Sequence, residues 1–218
     1  AGVGRALVEQ LVRLSPDGRL RLWAHGDGPA AAALAERLGF GRTRVLLRML
    51  RSLTDPLPEV RLPDGVNVRT FVVGRDEDAW LEVNARAFAK HPEQGRWQRA
   101  ELDLRLVEPW FDPAGFFLAE QDGRLVGFHW TKVHGADDGH EGAHGHEPVG
   151  EVYVVGVDPA AQGGGLGPAL TLLGLHSLRD RGLAEVLLYV DEDNRAAVTT
   201  YERLGFAVSA TDVCYSRV

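Results

Sequence analysis

The stretch from Val155 to Pro168 restricts the fold more than any other part of the chain. It reads Val155-Gly156-Val157-Asp158-Pro159-Ala160-Ala161-Gln162-Gly163-Gly164-Gly165-Leu166-Gly167-Pro168. A β-branched strand runs into a proline turn, then a glycine-rich loop, then a segment from Leu166 to Arg181 that is apolar on most sides. That last pattern predicts a buried helix. The glycines let a ligand approach the backbone and present successive N–H groups. The helix start adds roughly half a positive charge, and Pro168 suits a first helical turn, where its missing N–H costs nothing. The segment therefore predicts a phosphate cradle, although a plain strand-to-helix turn uses the same glycines. Two other phosphate loops do not fit. No Gly-Lys-Ser/Thr ending is present, and Gly163-x-Gly165-x-x-Pro168 departs from the three-glycine dinucleotide fingerprint.

The elements around this loop alternate. Asn67 to Val73, Phe116 to Glu120, Arg124 to Val133, Val149 to Val157, Ala184 to Val190 and Ala207 to Tyr215 read as strands. Asp122-Gly123 marks a hairpin between the second and third of these. Glu77 to Ala89, Gln98 to Val107 and Asn194 to Leu204 read as helices. The order predicts an α/β (α+β) fold, a mixed and mostly antiparallel sheet flanked by helices. A long-range repeat extends this. Leu34-Ala35-Glu36-Arg37-Leu38-Gly39-Phe40 echoes Thr200-Tyr201-Glu202-Arg203-Leu204-Gly205-Phe206 at an offset of 166 residues. Each copy follows a short strand pattern, Leu20 to Trp23 and Val186 to Tyr189. The offset is too long for a solenoid and predicts two tandem copies of one domain, the first beginning in its middle. Residues 1–52 are then the C-terminal remnant of a first domain, 53–65 a proline-rich linker, and 66–218 a complete second domain.

Composition narrows the function. With 24 basic and 31 acidic residues the net charge is −7, which disfavours a general nucleic-acid binder. No apolar run is long enough to span a bilayer, and the start lacks the pattern of a secretion signal. The single cysteine, Cys214, excludes an intrachain disulfide and a cysteine zinc cage, and a reducing, cytoplasmic setting is expected. His134, His140, His144 and His146 lie among glycines and acids between two strand patterns. The glycines argue against a helix that would align them on a metal, so a solvated loop is expected and no metal is assigned.

The chain resembles the GCN5-related N-acetyltransferase (GNAT) superfamily. The resemblance rests on Gln162-Gly163-Gly164-Gly165-Leu166-Gly167 after Val157-Asp158-Pro159, and on Asn194, Ala197, Tyr201, Gly205 and Phe206 in the second signature. A closer likeness is to the tandem-domain actinobacterial branch, through Gly150 to Gln162, Gly127 to Lys132, Asn84 to Phe88 and His91 to Gly95. It covers essentially all of 66–218. Gly163-Gly164 departs from that pattern, since such loops often carry arginine there.

What the resemblance implies is an acetyl-CoA-dependent N-acetyltransferase that needs no metal and acetylates the cysteine amine of cysteinyl-glucosaminyl-inositol. The reaction needs a neutral amine, an oxyanion stabiliser and a proton for the departing thiolate. The resemblance assigns Glu151 to the amine, as its ligand and base, and Tyr201 to the thiolate, as acid. Strand alternation predicts that Glu151, Tyr153, Val155 and Val157 share one face. Val155, Gly156 and Val157 are expected along the pantetheine arm, with the Val155 N–H as oxyanion donor, and Gln162, Gly163, Gly164, Gly165, Leu166, Gly167 and Pro168 at the pyrophosphate. Asn194, as helix cap, with Arg195, Ala196, Ala197, Val198 and Thr199 completes the expected acetyl-CoA contacts. Glu93, Lys132, Glu151 and Tyr189 match positions that hold the acceptor. In the first copy Gly28 and Ala35 stand where Asn194 and Tyr201 stand in the second, so a non-catalytic first domain is expected. Small-molecule partners are expected, without nucleic acid or membrane, for a chain acting as a monomer. Two rivals remain: the same fold acting on a protein N-terminus, aminoglycoside or polyamine, and a non-catalytic acyl-CoA-binding module.

Overall fold

The structure, a computed structural model, describes residues 2–91, 94–135 and 147–217. Along the chain come α1 (Val3–Leu14), β1 (Leu20–Ala24), α2 (Pro29–Arg37) and β2 (Gly41–Ser52), then β3 (Val66–Thr70), α3 (Glu77–Ala87) and α4 (Arg99–Leu106). There follow β4 (Phe116–Gln121), β5 (Arg124–His134), β6 (Val149–Val157), α5 (Leu166–Asp180), β7 (Glu185–Asp191), α6 (Arg195–Arg203) and β8 (Ala207–Arg217). Among the described residues no helix is long and apolar enough to cross a membrane. The chain divides into two compact units, Arg51–Leu188, and Ala1–Leu50 together with Tyr189–Val218.

In the 51–188 unit, β3, β4, β5 and β6 form an antiparallel meander. β7 then pairs parallel to β6, as a strand–helix–strand crossover through α5 allows. The β4–β5 hairpin turns at Asp122 and Gly123, whose φ of 51° and 75° suit the tight turn that an Asp-Gly pair predicts. An aromatic core fills one face. Phe71 stacks on Phe116 at 4.5 Å, Phe116 on Trp130 at 4.4 Å, and Trp80 of α3 meets Phe116, Phe128 and Trp130 edge-on. On another cluster Leu166 and Leu170 of α5 pack with Val66 and Ala119. Gly150 and Gly174 let α5 lie close to the sheet, since a Cβ at Gly150 would meet Leu178 at 2.9 Å and one at Gly174 the His129 ring at 2.0 Å.

In the other unit β8 pairs antiparallel with β1 along one edge and with β2 along the other. Its core joins Val213 and Tyr215 of β8 to Ala35 of α2 and Phe40 just before β2. β8 is thus the central strand between β1 and β2. β3 is shorter than expected, ending at Thr70. Beyond it, the Asp76 carboxylate accepts from the Val72 N–H at 2.8 Å and from the Arg69 guanidinium, forming the turn that starts α3.

Candidate active site

The strand β6 carries a bulge. Trp130 pairs with Val154 and Thr131 with Val152, so Tyr153 has no partner of its own on β5. This breaks the alternation expected of the strand. Val154 belongs to the aromatic core and Tyr153 packs against that same core, although they are neighbours in sequence. Val155 and Val157 pack instead with Leu166 and Leu170. Glu151 therefore stays with Tyr153, and Val155 and Val157 turn to the opposite face. The expectation of a single face is corrected by that one extra residue.

The bulge also decides which backbone groups are available. Pairing of β6 with β7 covers Gly150, Glu151 and Val152. From Tyr153 onward β6 keeps β5 as its ladder neighbour on one edge. The Asp158 N–H donates to the Val126 carbonyl, pointing toward β5. Counting back by alternation, Gly156 faces β5 as well, while the backbone groups of Val155 and Val157 point to the other edge. The Val157 carbonyl accepts from Gln162 Nε2 at 3.1 Å. The Val155 and Val157 N–H groups remain as donors on that edge. Gly156 is held by packing, because a Cβ there would meet Phe128 at 2.8 Å and Phe88 at 3.0 Å.

The loop after β6 is built as a cradle. Asp158 accepts from the Ala160 N–H at 2.9 Å and from Arg86 Nε, and both contacts hold its carboxyl below the usual carboxylate range. Gly163 and Gly165 adopt φ of 89° and 85°, a left-handed backbone that favours glycine. Nothing lies within 4 Å of a Cβ built on either, so a ligand can reach the backbone. Gly165 caps α5, and its carbonyl already accepts from the Ala169 N–H. Pro168 has no N–H, which leaves Leu166 and Gly167 as first-turn donors. The Leu166 side chain is buried in the core, so its share in any ligand contact is its backbone.

Glu151 lies on the other face, 8% exposed. Lys132 stands directly opposite across the ladder, with its ammonium 4.6 Å from the Trp110 ring centre. Glu151 Oε2 and His134 Nε2 are 2.6 Å apart. Arg105 of α4 donates to the Tyr153 hydroxyl at 3.2 Å, and burial pushes that hydroxyl above the ordinary tyrosine range. Gln94 is tied to α3 through buried Asn84, which donates to the Gln94 carbonyl at 2.7 Å and accepts from its amide. Glu93, expected at the acceptor, lies outside the described residues, as do His140, His144 and His146.

The remaining predicted residues belong to the unit that contains α6. Asn194 caps that helix, its side chain accepting from the Ala197 N–H at 3.3 Å. Arg195, Ala196 and Thr199 are exposed, Ala197 is half-buried and Val198 is buried. Tyr201 packs edge-on against Phe206, with centroids 5.8 Å apart. The protein around its hydroxyl pushes the Tyr201 pKa up to about 12, so it keeps its proton at neutral pH. Tyr189 is 46% exposed.

These parts have counterparts in known proteins. Residues 79–206 match the Acetyltransferase (GNAT) family. The chain is 62% identical to the mycothiol acetyltransferase of Thermomonospora curvata, over 98% of this chain and 68% of that one. It is 59% identical to the mycothiol acetyltransferase of Acidothermus cellulolyticus, over 99% of this chain and 67% of that one. The chain belongs to the GNAT acetyltransferase family. Among solved structures, a GCN5-related N-acetyltransferase from Sphaerobacter thermophilus superposes with a TM-score of 0.77 at 27% identity, over 99% of this chain and 68% of that one. The chain thus spans about two thirds of the length of these relatives.

As a GNAT acetyltransferase the protein uses acetyl-CoA, and the cradle fits that molecule. Two glycines with open approach, the Leu166 and Gly167 donors and the dipole of α5, 15 residues long, suit a pyrophosphate without any lysine. The backbone on the β6 edge suits an extended amide-bearing arm. Sequence reasoning missed two features of this GNAT site. His134 was grouped with the histidine-rich loop, yet it ends β5 and reaches Glu151. The Tyr153 bulge was also missed, and neither leaves a local signal, because both depend on cross-strand register.

Proposed function

We propose that this GNAT acetyltransferase transfers the acetyl group of acetyl-CoA to the cysteine amine of cysteinyl-glucosaminyl-inositol, forming mycothiol. The names of the relatives at about 60% identity support that acceptor. The observation that carries the mechanism is the bulge at Tyr153, which commits Glu151 to one face of β6 and leaves the Val155 N–H on its open edge.

When bound, acetyl-CoA supplies an activated acetyl thioester. Gly163, Gly164, Gly165, Leu166 and Gly167 hold its pyrophosphate through backbone N–H groups, and Gln162 fixes the loop by closing onto the Val157 carbonyl. Asn194 to Thr199 complete the contacts from the start of α6. Val155 donates its N–H to the thioester oxygen, stabilising the negative charge that develops there. Glu151 binds the acceptor's ammonium and receives its proton, directly or through water, so that a neutral amine attacks. Tyr201 hydrogen-bonds the departing sulfur and supplies its proton. A thiol near roughly 8.5 is a stronger acid than Tyr201 at about 12, so the Tyr201 hydroxyl stabilises the departing thiolate chiefly through its hydrogen bond, and the proton moves only as the C–S bond breaks. Lys132, Tyr189 and Glu93 bind the sugar and inositol hydroxyls. The catalytic copy is read as 66–218 and residues 1–52 as a non-catalytic remnant, with 53–65 between. The reaction is assigned to the cytoplasm, with the chain acting as a monomer.

The test is release of the coenzyme A thiol on mixing acetyl-CoA with cysteinyl-glucosaminyl-inositol, the product being identified by mass. Turnover that falls about 100-fold in Tyr201→Phe with little change in KM supports the reading. Turnover on a polyamine or aminoglycoside but not on this amine moves the acceptor assignment. Acetyl-CoA binding without turnover on any amine favours a binding module.

A further inference from the structure

The Glu151 carboxylate has a partner that the proposed mechanism does not use. His134 Nε2 lies 2.6 Å from Glu151 Oε2, and among the described residues it is the hydrogen-bond partner that Glu151 has. The two side chains differ in exposure, 33% for His134 and 11% for Glu151, so the imidazole is the more solvent-accessible partner. The pair is diagonal on the β5–β6 ladder, since His134 faces Val149 while Glu151 faces Lys132. Antiparallel register brings diagonal neighbours within reach of long side chains.

We propose that His134 is a positioning residue for acceptor recognition and sets the pH range in which Glu151 attracts an ammonium group. With neutral imidazole, the Nε2–H donates to Oε2 and fixes the carboxylate, leaving Oε1 for the acceptor's amine. The pair then carries one negative charge. With imidazolium the pair is neutral overall, and its attraction for a cationic amine weakens. Among the described residues, the charged and titratable groups facing the pair come from β5, β6 and α4. They are Lys132 of β5, Arg105 of α4 with Glu108 after it, and Tyr153 of β6, whose hydroxyl burial pushes above the ordinary tyrosine range. Acceptor binding should therefore weaken at the lower pH at which His134 takes up a proton.

This rests on the reading that Glu151 receives the acceptor's ammonium, and the experiment separates the two. KM for cysteinyl-glucosaminyl-inositol and for acetyl-CoA is measured at pH 6 and pH 8 in the full chain and in His134→Gln and His134→Ala. His134→Ala is expected to raise the acceptor KM about tenfold at pH 8, and His134→Gln, which keeps a donor, to recover most of that loss. The ratio of acceptor KM at pH 6 to that at pH 8 is expected to be about threefold larger in the parent chain than in His134→Gln. Ionisation of the acceptor itself cancels in that comparison. The acetyl-CoA KM ratio should be the same in both, which a general loss of folding would not produce. Equal acceptor KM ratios in the parent and His134→Gln would overturn the role of His134 while leaving the proposed reaction standing. A parent chain that acetylates no amine would overturn the reaction and this role with it.

Discussion

Single residues hold most of the chemistry, and one of them also links structure to pH. His129 is fully buried between β5 and α5; Nδ1 lies 2.7 Å from the Leu170 carbonyl, and Nε2 has no hydrogen-bond partner among the described residues. Burial pushes its pKa down from 6.5 to about 4. The neutral ring is thus the folded form, while an unfolded chain binds the proton. Stability is therefore lost as pH falls from 6.5 toward 4, by about 3 kcal/mol in all, and His129 contributes no further loss below that. Urea unfolding at pH 7 and pH 4.5 checks this: His129→Gln should flatten the difference relative to the parent. Gly174 is the other half of the same contact. A Cβ there falls 2.0 Å from the His129 ring, so Gly174→Ala must displace the ring and is expected to cost about 3 kcal/mol. An unchanged urea midpoint would show that the helix can shift at no cost. Neither residue stands out in the sequence, because burial depends on what packs across from it.

At the scale of elements, β6 and the start of α5 behave differently as objects of inference. The cradle was legible because its information is local. Glycine spacing, the Asp158-Pro159 turn and the apolar run from Leu166 are contiguous, and the backbone follows them. Gly165 at φ 85° is the point of greatest demand. Gly165→Ala is expected to cost about 1 kcal/mol in stability through that backbone alone. It should also raise KM for acetyl-CoA about tenfold while leaving the acceptor KM within twofold; an acceptor effect of equal size would argue against a cradle dedicated to the cofactor. The facing of β6 was not legible. Alternation holds only in a strand without an insertion, and the bulge at Tyr153 is a property of two strands together. The predicted cap at Asn194 stood because a cap is made within four residues, whereas the His134 contact needed strand register.

At the scale of the molecule, the repeat of Leu34–Phe40 in Thr200–Phe206 predicts a helix in each segment, and α2 and α6 stand there. It did not foretell that β8 would pair with both β1 and β2. Every described residue proposed for the site lies beyond residue 65, yet a chain of residues 53–218 would leave β8 without either partner. Such a piece is expected to aggregate or to lose the β8 signal in hydrogen exchange, as size-exclusion chromatography and exchange rates would show. A stable monomer would mean that β8 does not depend on those strands. By itself, the sequence determined the α/β class, the family, the cradle and the helix cap, because each is encoded in residues close along the chain. Tertiary structure alone decided the face of Glu151, its contact with His134, the burial of His129 and the partners of β8, because each is a relation between segments whose register and packing arise only when the chain folds.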